Sequence, residues 1–373
     1  MKSRPYNFVR NSLAMVRKSN VVEATAIIRK ALLKDKVDLQ SAHVSQTTAR
    51  PLKGILAQAD ATTKSRLETG PKPSFRHNEV GLAPKKARNP PRGAGNFTSR
   101  IYRHIERDLS YMLYVPPHNS AKEQSLVLML HGCTQDPNDF ALGTQMNNLA
   151  DEFNLIVAYP LQPKTANSSG CWNWFDARHQ KHGAGEPAML AALADNLRSE
   201  FGISENRVFV AGLSAGGAMA EILASTYPQK FSAVGVHSGL PYGAATSLGN
   251  AFTAMNGSSK IRPHTCAENL AHSRRIVFHG SSDATVHPSN GERIVGQARH
   301  YPGEIKHVEF NKWINGRDVN GTVFMDEDGK SVVEQWVVSG GGHAWFGGNR
   351  LGSYTDPKGP DASREMVRFF LEG

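Results

Sequence analysis

Short apolar runs, separated by longer amphipathic stretches, recur along the chain from about residue 98 onward. Runs of this kind are typical of strands that are buried on both faces of a parallel sheet. Helical patterns, such as the one over residues 187–200, separate most of them. The pattern therefore predicts an α/β fold with a mostly parallel, doubly wound sheet. The predicted strands are residues 126–130, 155–159, 208–211, 233–236, 276–279 and 332–338.

Alternating patterns flank these runs on both sides. Residues 100–106 and 111–115 alternate well enough to predict an antiparallel pair of strands. Near the other end, Asp326 and Asp328 lie in the sequence MDEDG, which is typical of a hairpin turn between two strands. Asp318 lies in a stretch that we interpret as a polar loop.

The first 97 residues have a different pattern. Residues 1–36 carry two apolar stripes at helical spacing, and Asn20 followed by Glu23 is typical of a capping box that opens the second helix. Residues 37–97 are polar and rich in proline and glycine, with little periodicity. We therefore predict an amphipathic helical segment over residues 1–36, a basic linker over residues 37–97, and an α/β domain over residues 98–373.

The net charge of +10 is concentrated in this N-terminal arm. Residues 1–100 contain 20 of the 43 Lys and Arg residues but only 6 of the 33 Asp and Glu residues, which gives +14 there and −4 for the rest. A basic arm can bind nucleic acid, anionic lipid or an acidic partner. A solvated tail is the simpler interpretation, and we expect no specific nucleic-acid partner.

Composition excludes several classes of protein. The chain is 39% hydrophobic and has no apolar run near the ~18 residues of a membrane span. The N-terminal sequence MKSRPYNFVRNSLAMVRKSN lacks the apolar core of a secretory signal, which favours a cytoplasmic location. Three cysteines are too few for a disulfide framework and have no zinc-like spacing. We expect no metal and no cofactor.

The sequence RVFVAGLSAGGAMAEILA, residues 207–224, holds the strongest chemical signal. A predicted strand leads through Gly212, Ser214 and Gly216 into an alanine-rich helix. This is the strand–turn–helix context of a nucleophile elbow, in which a G-x-S-x-G sequence exposes its serine on a sharp turn. A glycine-rich turn without chemistry is the alternative, so the interpretation depends on finding partners for Ser214.

A serine nucleophile needs a histidine base that is oriented by a carboxylate. In hydrolases with this elbow the chain order is Ser, then Asp or Glu, then His. His343 fits because it follows the strand at residues 332–338 through three glycines. His131 and His279 end apolar strands just before a glycine, and we interpret both as structural.

The acid is chosen among the aspartates that precede His343 in the chain. Asp326 and Asp328 belong to the predicted hairpin turn, and Asp318 to the polar loop. Asp283 follows the strand at residues 276–279 and so lies at the carboxyl end of the predicted sheet, where chemistry gathers in such folds. We therefore predict Ser214, Asp283 and His343 as a catalytic triad.

An oxyanion would need two backbone N–H donors beside the serine. One comes from the residue after the nucleophile, Ala215, and the other usually comes from the loop after an early strand. The sequence LVLMLHGCTQ supplies such a loop, and we predict the Cys133 amide as the second donor.

Longer segments make a family resemblance specific. HGCTQDPNDFALGTQMN, ANSSGCWNWF, AGLSAGGAMAEILASTYPQKFSAVGVHSGLPYGAA, HGSSDATVHP and GGGHAWFGGNRLGSYTDPKGPDASREMVRFF resemble the esterase/poly(3-hydroxybutyrate) depolymerase family. The resemblance covers roughly residues 98–373. It implies the α/β-hydrolase fold and a serine esterase with Ser214, Asp283 and His343 as triad, akin to feruloyl and acetyl-xylan esterases.

The resemblance also implies roles around the site. It places Cys133 and Trp172 at the active-site mouth, and cysteines at these positions raise a Cys133–Cys171 disulfide as a hypothesis, with Cys266 a thiol in either case. A reducing cytosol argues against the disulfide. We expect the aromatic side chains of CWNWF to line the substrate cleft, and Trp345 to join them; the alternative is that this loop is anchored on the core. The predicted substrate-binding residues are Trp172, Trp174 and Trp345, with Phe175 beside them.

The leading functional hypothesis is a carboxylic-ester hydrolase that acts on poly- or oligo(3-hydroxyalkanoate) esters. A feruloyl or acetyl-xylan esterase is the alternative within enzymes. A non-catalytic protein whose basic arm binds a polymer granule or an anionic surface is the alternative from another class. The resembled family has many extracellular members, with a signal peptide and a polymer-binding domain after the catalytic one. This chain ends 30 residues beyond His343, so we expect soluble oligomers or small esters rather than crystalline polymer as substrates.

Overall fold

The computed structural model describes residues 93–117, 119, 121–258, 273–298 and 304–372. The predictions for the helical segment over residues 1–36, for the linker up to residue 92 and for Cys266 lie outside these ranges.

Ten strands of the described chain belong to one sheet, and two short ones form a separate parallel pair. The ten are β1 Asn96–Tyr102, β2 Leu109–Val115, β3 Ser125–Leu130, β4 Leu155–Pro160, β5 Val208–Leu213, β6 Ala233–His237, β7 Arg274–Gly280, β8 Lys306–Ile314, β9 Arg317–Met325 and β10 Ser331–Val338. The pair is β11 Trp345–Phe346 and β12 Thr355–Asp356.

Helices connect most of the parallel strands. They are α1 Pro137–Thr144, α2 Met146–Phe153, α3 Gly185–Glu200, α4 Ala215–Thr226, α5 Leu248–Met255, α6 Ser289–Ala298 and α7 Ala362–Leu371. Among the described residues, no helix combines the length and the apolar character that crossing a membrane requires.

The sheet has the order β1-β2-β4-β3-β5-β6-β7-β10-β9-β8. Its centre, from β4 to β10, is parallel throughout. Antiparallel strands extend it on both sides, β2 and β1 beyond β4 and the β9–β8 hairpin beyond β10. The predicted mostly parallel, doubly wound sheet is confirmed. Because parallel strands end at one edge, the loops after β3, β5, β7 and β10 lie at the same edge of the sheet.

Successive side chains of the central strands face two different helical layers. Leu126, Leu128 and Leu130 of β3 belong to the apolar cluster that contains α3 and α4. Val127 and Met129 belong to the cluster that contains α1, α2 and α7. Both faces of these strands are therefore buried, which explains why the sequence shows continuous apolar runs there and not an alternation.

The first strand lies four residues before its predicted position. It spans Asn96–Tyr102 and not residues 100–106, because the ring of Phe97 packs on Tyr114 and Tyr159 with centroids 6.3 and 5.8 Å away. The Gly95 N–H also donates a hydrogen bond of 2.7 Å to Tyr114 Oη. The folded domain thus includes residues ahead of the predicted boundary at residue 98.

We predicted a loop around Asp318, and this prediction is wrong: the segment is part of a hairpin. Asp318 lies in β9 and pairs with Trp313 of β8. The turn between these strands has Asn315 and Gly316 with φ of 45° and 79°, values that favour a tight hairpin connection. Most side chains of β8 are exposed, so that strand lacks the apolar pattern by which the sequence predicts a strand, whereas residues 322–324 of β9 are predicted as one.

Candidate active site

Ser214 occupies the sharp turn between β5 and α4. Its φ of 57° and ψ of −118° are a strained combination for a residue with a side chain. Two glycines permit the turn, since a Cβ at Gly212 would overlap the backbone of Gly216, and one at Gly216 would overlap the Leu130 carbonyl. The Ser214 N–H donates to His237 O at 2.9 Å. The hydroxyl is thereby held at the edge where the parallel strands end.

Asp283 and His343 meet at the same edge of the sheet. Asp283 follows β7, His343 follows β10, and the two strands are neighbours. His343 Nδ1 lies 2.7 Å from Asp283 Oδ2, and both side chains are buried. The other carboxylate oxygen, Oδ1, accepts from the backbone N–H groups of Thr285 at 2.8 Å and Val286 at 2.9 Å. The carboxylate therefore has a fixed orientation.

The electrostatics of the pair assign its proton. Burial alone would raise the pKa of Asp283, but the charge of His343 and the hydrogen bonds from His279 and His343 outweigh it and hold the pKa well below the ordinary value. An ionised carboxylate can only accept, so Nδ1 of His343 carries the hydrogen. This leaves Nε2 as the ring nitrogen that can take a proton from a nucleophile.

The other candidate acids lie elsewhere. Asp318 belongs to the β8–β9 hairpin. Asp326 accepts a hydrogen bond of 2.9 Å from the Lys330 N–H in the turn before β10, and Asp328 lies in the same turn. Within the described residues, none of these three forms a hydrogen bond or ion pair with His343.

The two residues predicted to stabilise an oxyanion, Cys133 and Ala215, lie beside Ser214 in the wall of the cleft. Ala215 is the first residue of α4, so its N–H has no acceptor within the helix. The amides on either side of Cys133 are engaged, that of Gly132 with Gln135 Oε1 at 2.9 Å and that of Thr134 with Ser169 O at 2.8 Å. The Cys133 N–H has no hydrogen-bond partner among the described residues. Cys133 and Ala215 both line the cleft that contains Ser214.

A disulfide joins the loop after β3 to the loop after β4. Cys133 and Cys171 are bonded, and both contribute to the wall of the cleft. Asn167 reinforces the second loop, because its side-chain oxygen accepts from the N–H groups of Ser169 at 3.0 Å and Cys171 at 3.2 Å. The disulfide therefore ties the Cys133 loop to a second loop that Asn167 holds in place.

The cleft itself is small and mostly apolar, with a cavity volume of about 20 Å³. This is room for about one water-sized group. Its apolar wall comes from the loop after β4, from α5 and from the loops after β6 and β7. The lining residues are Trp174, Phe175, Leu240, Ala251, Met255 and Val286, together with the disulfide.

The predicted aromatic residues separate into two groups. Trp174 and Phe175 line the cleft and pack edge to face with centroids 5.6 Å apart. Trp172 and Trp345 do not line it, contrary to prediction, because both rings are fully buried in the two cores. These two tryptophans pack in the core, against His131 and His237 respectively.

A polar network that the sequence did not reveal joins the Cys133 loop to the loop at residues 349–355. Gln135 accepts from the Gly132 N–H and donates to Ser353 O at 3.1 Å. Asp139, on α1, accepts from both the N–H and the hydroxyl of Ser353. These partners are more than 200 residues apart in sequence, so no local motif predicts the network.

Thr134 and Tyr354 connect the same two loops at the rim of the site. Both have positive φ, 66° and 51°, which is strained for residues of this type. Thr134 Oγ1 lies 3.3 Å from Tyr354 Oη, and the tyrosine ring meets the imidazole of His343 edge to face. Backbone strain of this kind clusters at functional sites. We had not predicted either residue.

The sequence is similar to those of known depolymerases and esterases. A family model described as Esterase PHB depolymerase matches residues 109–315. The chain is 31% identical over 236 residues to poly(3-hydroxyalkanoate) depolymerase C of Paucimonas lemoignei, covering 61% of this chain and 56% of that protein. It is 26% identical over 250 residues to feruloyl esterase B of Neurospora crassa, covering 61% of this chain and 80% of that protein.

A solved structure extends the likeness to the fold. The acetyl xylan esterase from Aspergillus awamori matches with a TM-score of 0.54 and 22% identity, over 71% of this chain and 94% of that one. At this identity the match concerns the fold alone. The chain spans only about half the length of the Paucimonas depolymerase, so that protein's activity is not transferred by the match.

Proposed function

The chain has the α/β-hydrolase fold and belongs to the Esterase PHB depolymerase family, and from this we propose that it is a serine hydrolase of carboxylic esters. One observation carries the proposal. A strained serine at the carboxyl edge of the sheet lines the same cleft as Cys133 and Ala215, and a buried Asp283–His343 pair follows neighbouring strands at that edge.

The proposed chemistry proceeds through an acyl-enzyme. Ser214 Oγ attacks the ester carbonyl while Nε2 of His343 takes its proton, and the amides of Cys133 and Ala215 stabilise the oxyanion. His343 then gives the proton to the leaving alcohol. Water then attacks the acyl carbonyl and gives a proton to the same nitrogen. His343 passes that proton to Ser214 Oγ as the acyl–oxygen bond breaks, which releases the acid and regenerates Ser214. Asp283 keeps the ring in the reactive tautomer throughout.

The size of the cleft favours a short acyl group. A narrow apolar cleft suits the methyl of an acetyl or 3-hydroxybutyryl unit better than a bulky feruloyl ring. We therefore propose oligo(3-hydroxyalkanoate) or similar short-acyl esters as substrates. An acetyl esterase is the second candidate, because the same cleft would take an acetyl group.

A substrate panel distinguishes these candidates. We expect kcat/KM on nitrophenyl esters to be highest for acetyl and butyryl groups and to fall steeply with longer chains. Soluble 3-hydroxybutyrate oligomers should be hydrolysed faster than acetylated xylan. A preference for methyl ferulate over all short-acyl esters would overturn the proposed substrate class.

The hydrolase proposal has its own test in covalent labelling. A fluorophosphonate probe should modify the wild-type protein once, and should not modify Ser214→Ala, whose fold is expected to persist because the change only removes a hydroxyl. The Ser225→Ala variant is a matched control, since Ser225 lies on the same helix with its hydroxyl bonded to Glu221 O. An unlabelled wild-type protein would favour the surface-binding alternative over catalysis.

The basic N-terminal arm is given a separate role in this proposal. The first 100 residues, which include the whole arm, carry a charge of +14, against −4 for the remaining chain. Cationic amphipathic segments bind anionic interfaces with apolar side chains buried and Lys or Arg at the surface. We assign the arm to the binding of a polymer granule or an anionic membrane, and the hydrolysis to the α/β domain.

A further inference from the structure

His279 is a buried histidine at the end of β7, four residues before Asp283. Its Nε2 lies 2.8 Å from Val286 O and 3.5 Å from Asp283 Oδ2. A carbonyl oxygen cannot donate, so Nε2 must carry the hydrogen. The N–H is therefore hydrogen-bonded to the Val286 carbonyl and lies 3.5 Å from the carboxylate oxygen that His343 uses.

The other ring nitrogen of His279 has no partner among the described residues. Nδ1 is buried, and it faces the backbone of α6 where a Cβ at Gly291 would lie only 2.9 Å away. An unpaired buried polar atom is unfavourable and calls for an explanation. Packing alone would be better served by an apolar side chain, so the reason for a histidine lies on the Nε2 side.

That side is the carboxylate of Asp283. Its Oδ1 accepts two backbone N–H groups, while Oδ2 accepts from His343 Nδ1 and faces His279 Nε2. Given the proposed function, we propose that His279 is a positioning residue: its N–H holds Oδ2 in line with His343 and takes up part of the negative charge that would otherwise act on His343 alone.

The surroundings contain few other charges that could produce the same effect. His237, from β6, lies near both histidines but accepts the Phe346 N–H on Nε2, and burial first of all lowers its pKa well below the ordinary value, so it is neutral. Tyr354 contributes its ring to His343. On α6, which covers His279, Glu292 is exposed and Arg293 donates to Gly257 O.

The expected consequence is a shift in the pH dependence of hydrolysis. Without the His279 N–H, the carboxylate attracts the protonated form of His343 more strongly. The pH at which His343 becomes a free base then rises. In His279→Leu we expect the acid limb of kcat/KM to move upward by about half a pH unit to one unit, and kcat to fall about tenfold.

Matched variants separate positioning from packing. His279→Gln keeps a donor near the place of Nε2 and should restore most of the wild-type profile. His131→Leu is the control: His131 is a buried histidine at the end of β3 whose Nε2 accepts from the Gln162 N–H. It should lower Tm without moving the acid limb. If His279→Leu does not fold, His279→Asn replaces it, because its amide is too short to reach Oδ2.

A second measurement makes the inference independent of turnover. NMR titration of the His343 ring should show the same upward shift in His279→Leu, even if no ester is hydrolysed. A shifted ring in a protein that fails the fluorophosphonate test would support the positioning role and overturn the proposed function. A lower Tm in His279→Leu with an unmoved acid limb and an unmoved His343 titration would overturn the role of His279.

Discussion

At the scale of single residues, the proposed chemistry depends on which aspartate orients His343. Asp283 lies in contact with Nδ1, whereas Asp318 lies on an edge hairpin. Asp283→Asn should therefore lower kcat by about 10⁴-fold, because the amide no longer fixes the reactive tautomer. Asp318→Asn should stay near wild type. A mild loss for the first and a severe loss for the second would show that the acid is misassigned.

The tryptophans provide a second test at this scale. Trp174 lines the cleft, so Trp174→Ala should raise KM for a butyryl ester severalfold with a smaller change in Tm. Trp172 is fully buried, so Trp172→Ala should lower stability by about 3–5 kcal/mol, as for other buried aromatic residues. Thermal unfolding and steady-state kinetics on both variants check this. A raised KM with little loss of stability in Trp172→Ala would show instead that Trp172 lines the cleft.

At the scale of elements, the sequence located the parallel strands well and the edge strands poorly. Residues 208–211 are apolar on both faces because helices cover both, and that pattern is visible locally. Strand β8 is exposed on most of its length, so it has no apolar signature and was not predicted. The position of β1 depends on Phe97 meeting Tyr114 and Tyr159, which are contacts that only the folded sheet creates.

The contrast between local patterns and long-range contacts also explains which parts of the site could be predicted. Ser214 is recognisable because the elbow needs glycines at fixed spacing, and Asp283 and His343 follow from strand ends and chain order. The network of Gln135, Asp139 and Ser353 joins segments more than 200 residues apart, so nothing in the local sequence indicates it. Trp172 and Trp345 were misplaced because an aromatic residue in a loop looks alike whether its ring faces a cleft or a core.

The disulfide is the element-level device with the clearest consequence. Cys133 and Cys171 are 38 residues apart, and opening a loop of this length costs about 4 kcal/mol in the chain-entropy account. Cys171→Ser should lower Tm. It should reduce kcat only severalfold, because the Thr134–Ser169 hydrogen bond still holds the Cys133 loop. In the wild-type protein, intact-mass analysis after alkylation without reductant should find one modified thiol, that of Cys266. Three modified thiols would mean that the bridge does not form in the isolated protein.

At the scale of the whole molecule, the chain divides its charge between two parts. All residues of the proposed chemistry lie in the α/β domain, while the basic excess lies in the first 100 residues. A catalytic part with a negative net charge gains no net attraction to anionic surfaces, so we expect any such binding to come from the arm. The division also predicts that added salt weakens surface binding without slowing hydrolysis of a small neutral ester.

Truncation tests this division directly. A protein that begins at Gly93 retains β1, the Gly95–Tyr114 hydrogen bond and the Phe97 contacts. It should keep the kcat of the full chain on a small soluble ester and lose salt-sensitive binding to vesicles that contain an anionic lipid. A protein that begins at Arg103 is the control for the boundary: it lacks β1, exposes the edge of β2 and should melt at a lower temperature. If the protein that begins at Gly93 is folded yet inactive, the arm belongs to the catalytic unit, and the separation of binding from hydrolysis fails.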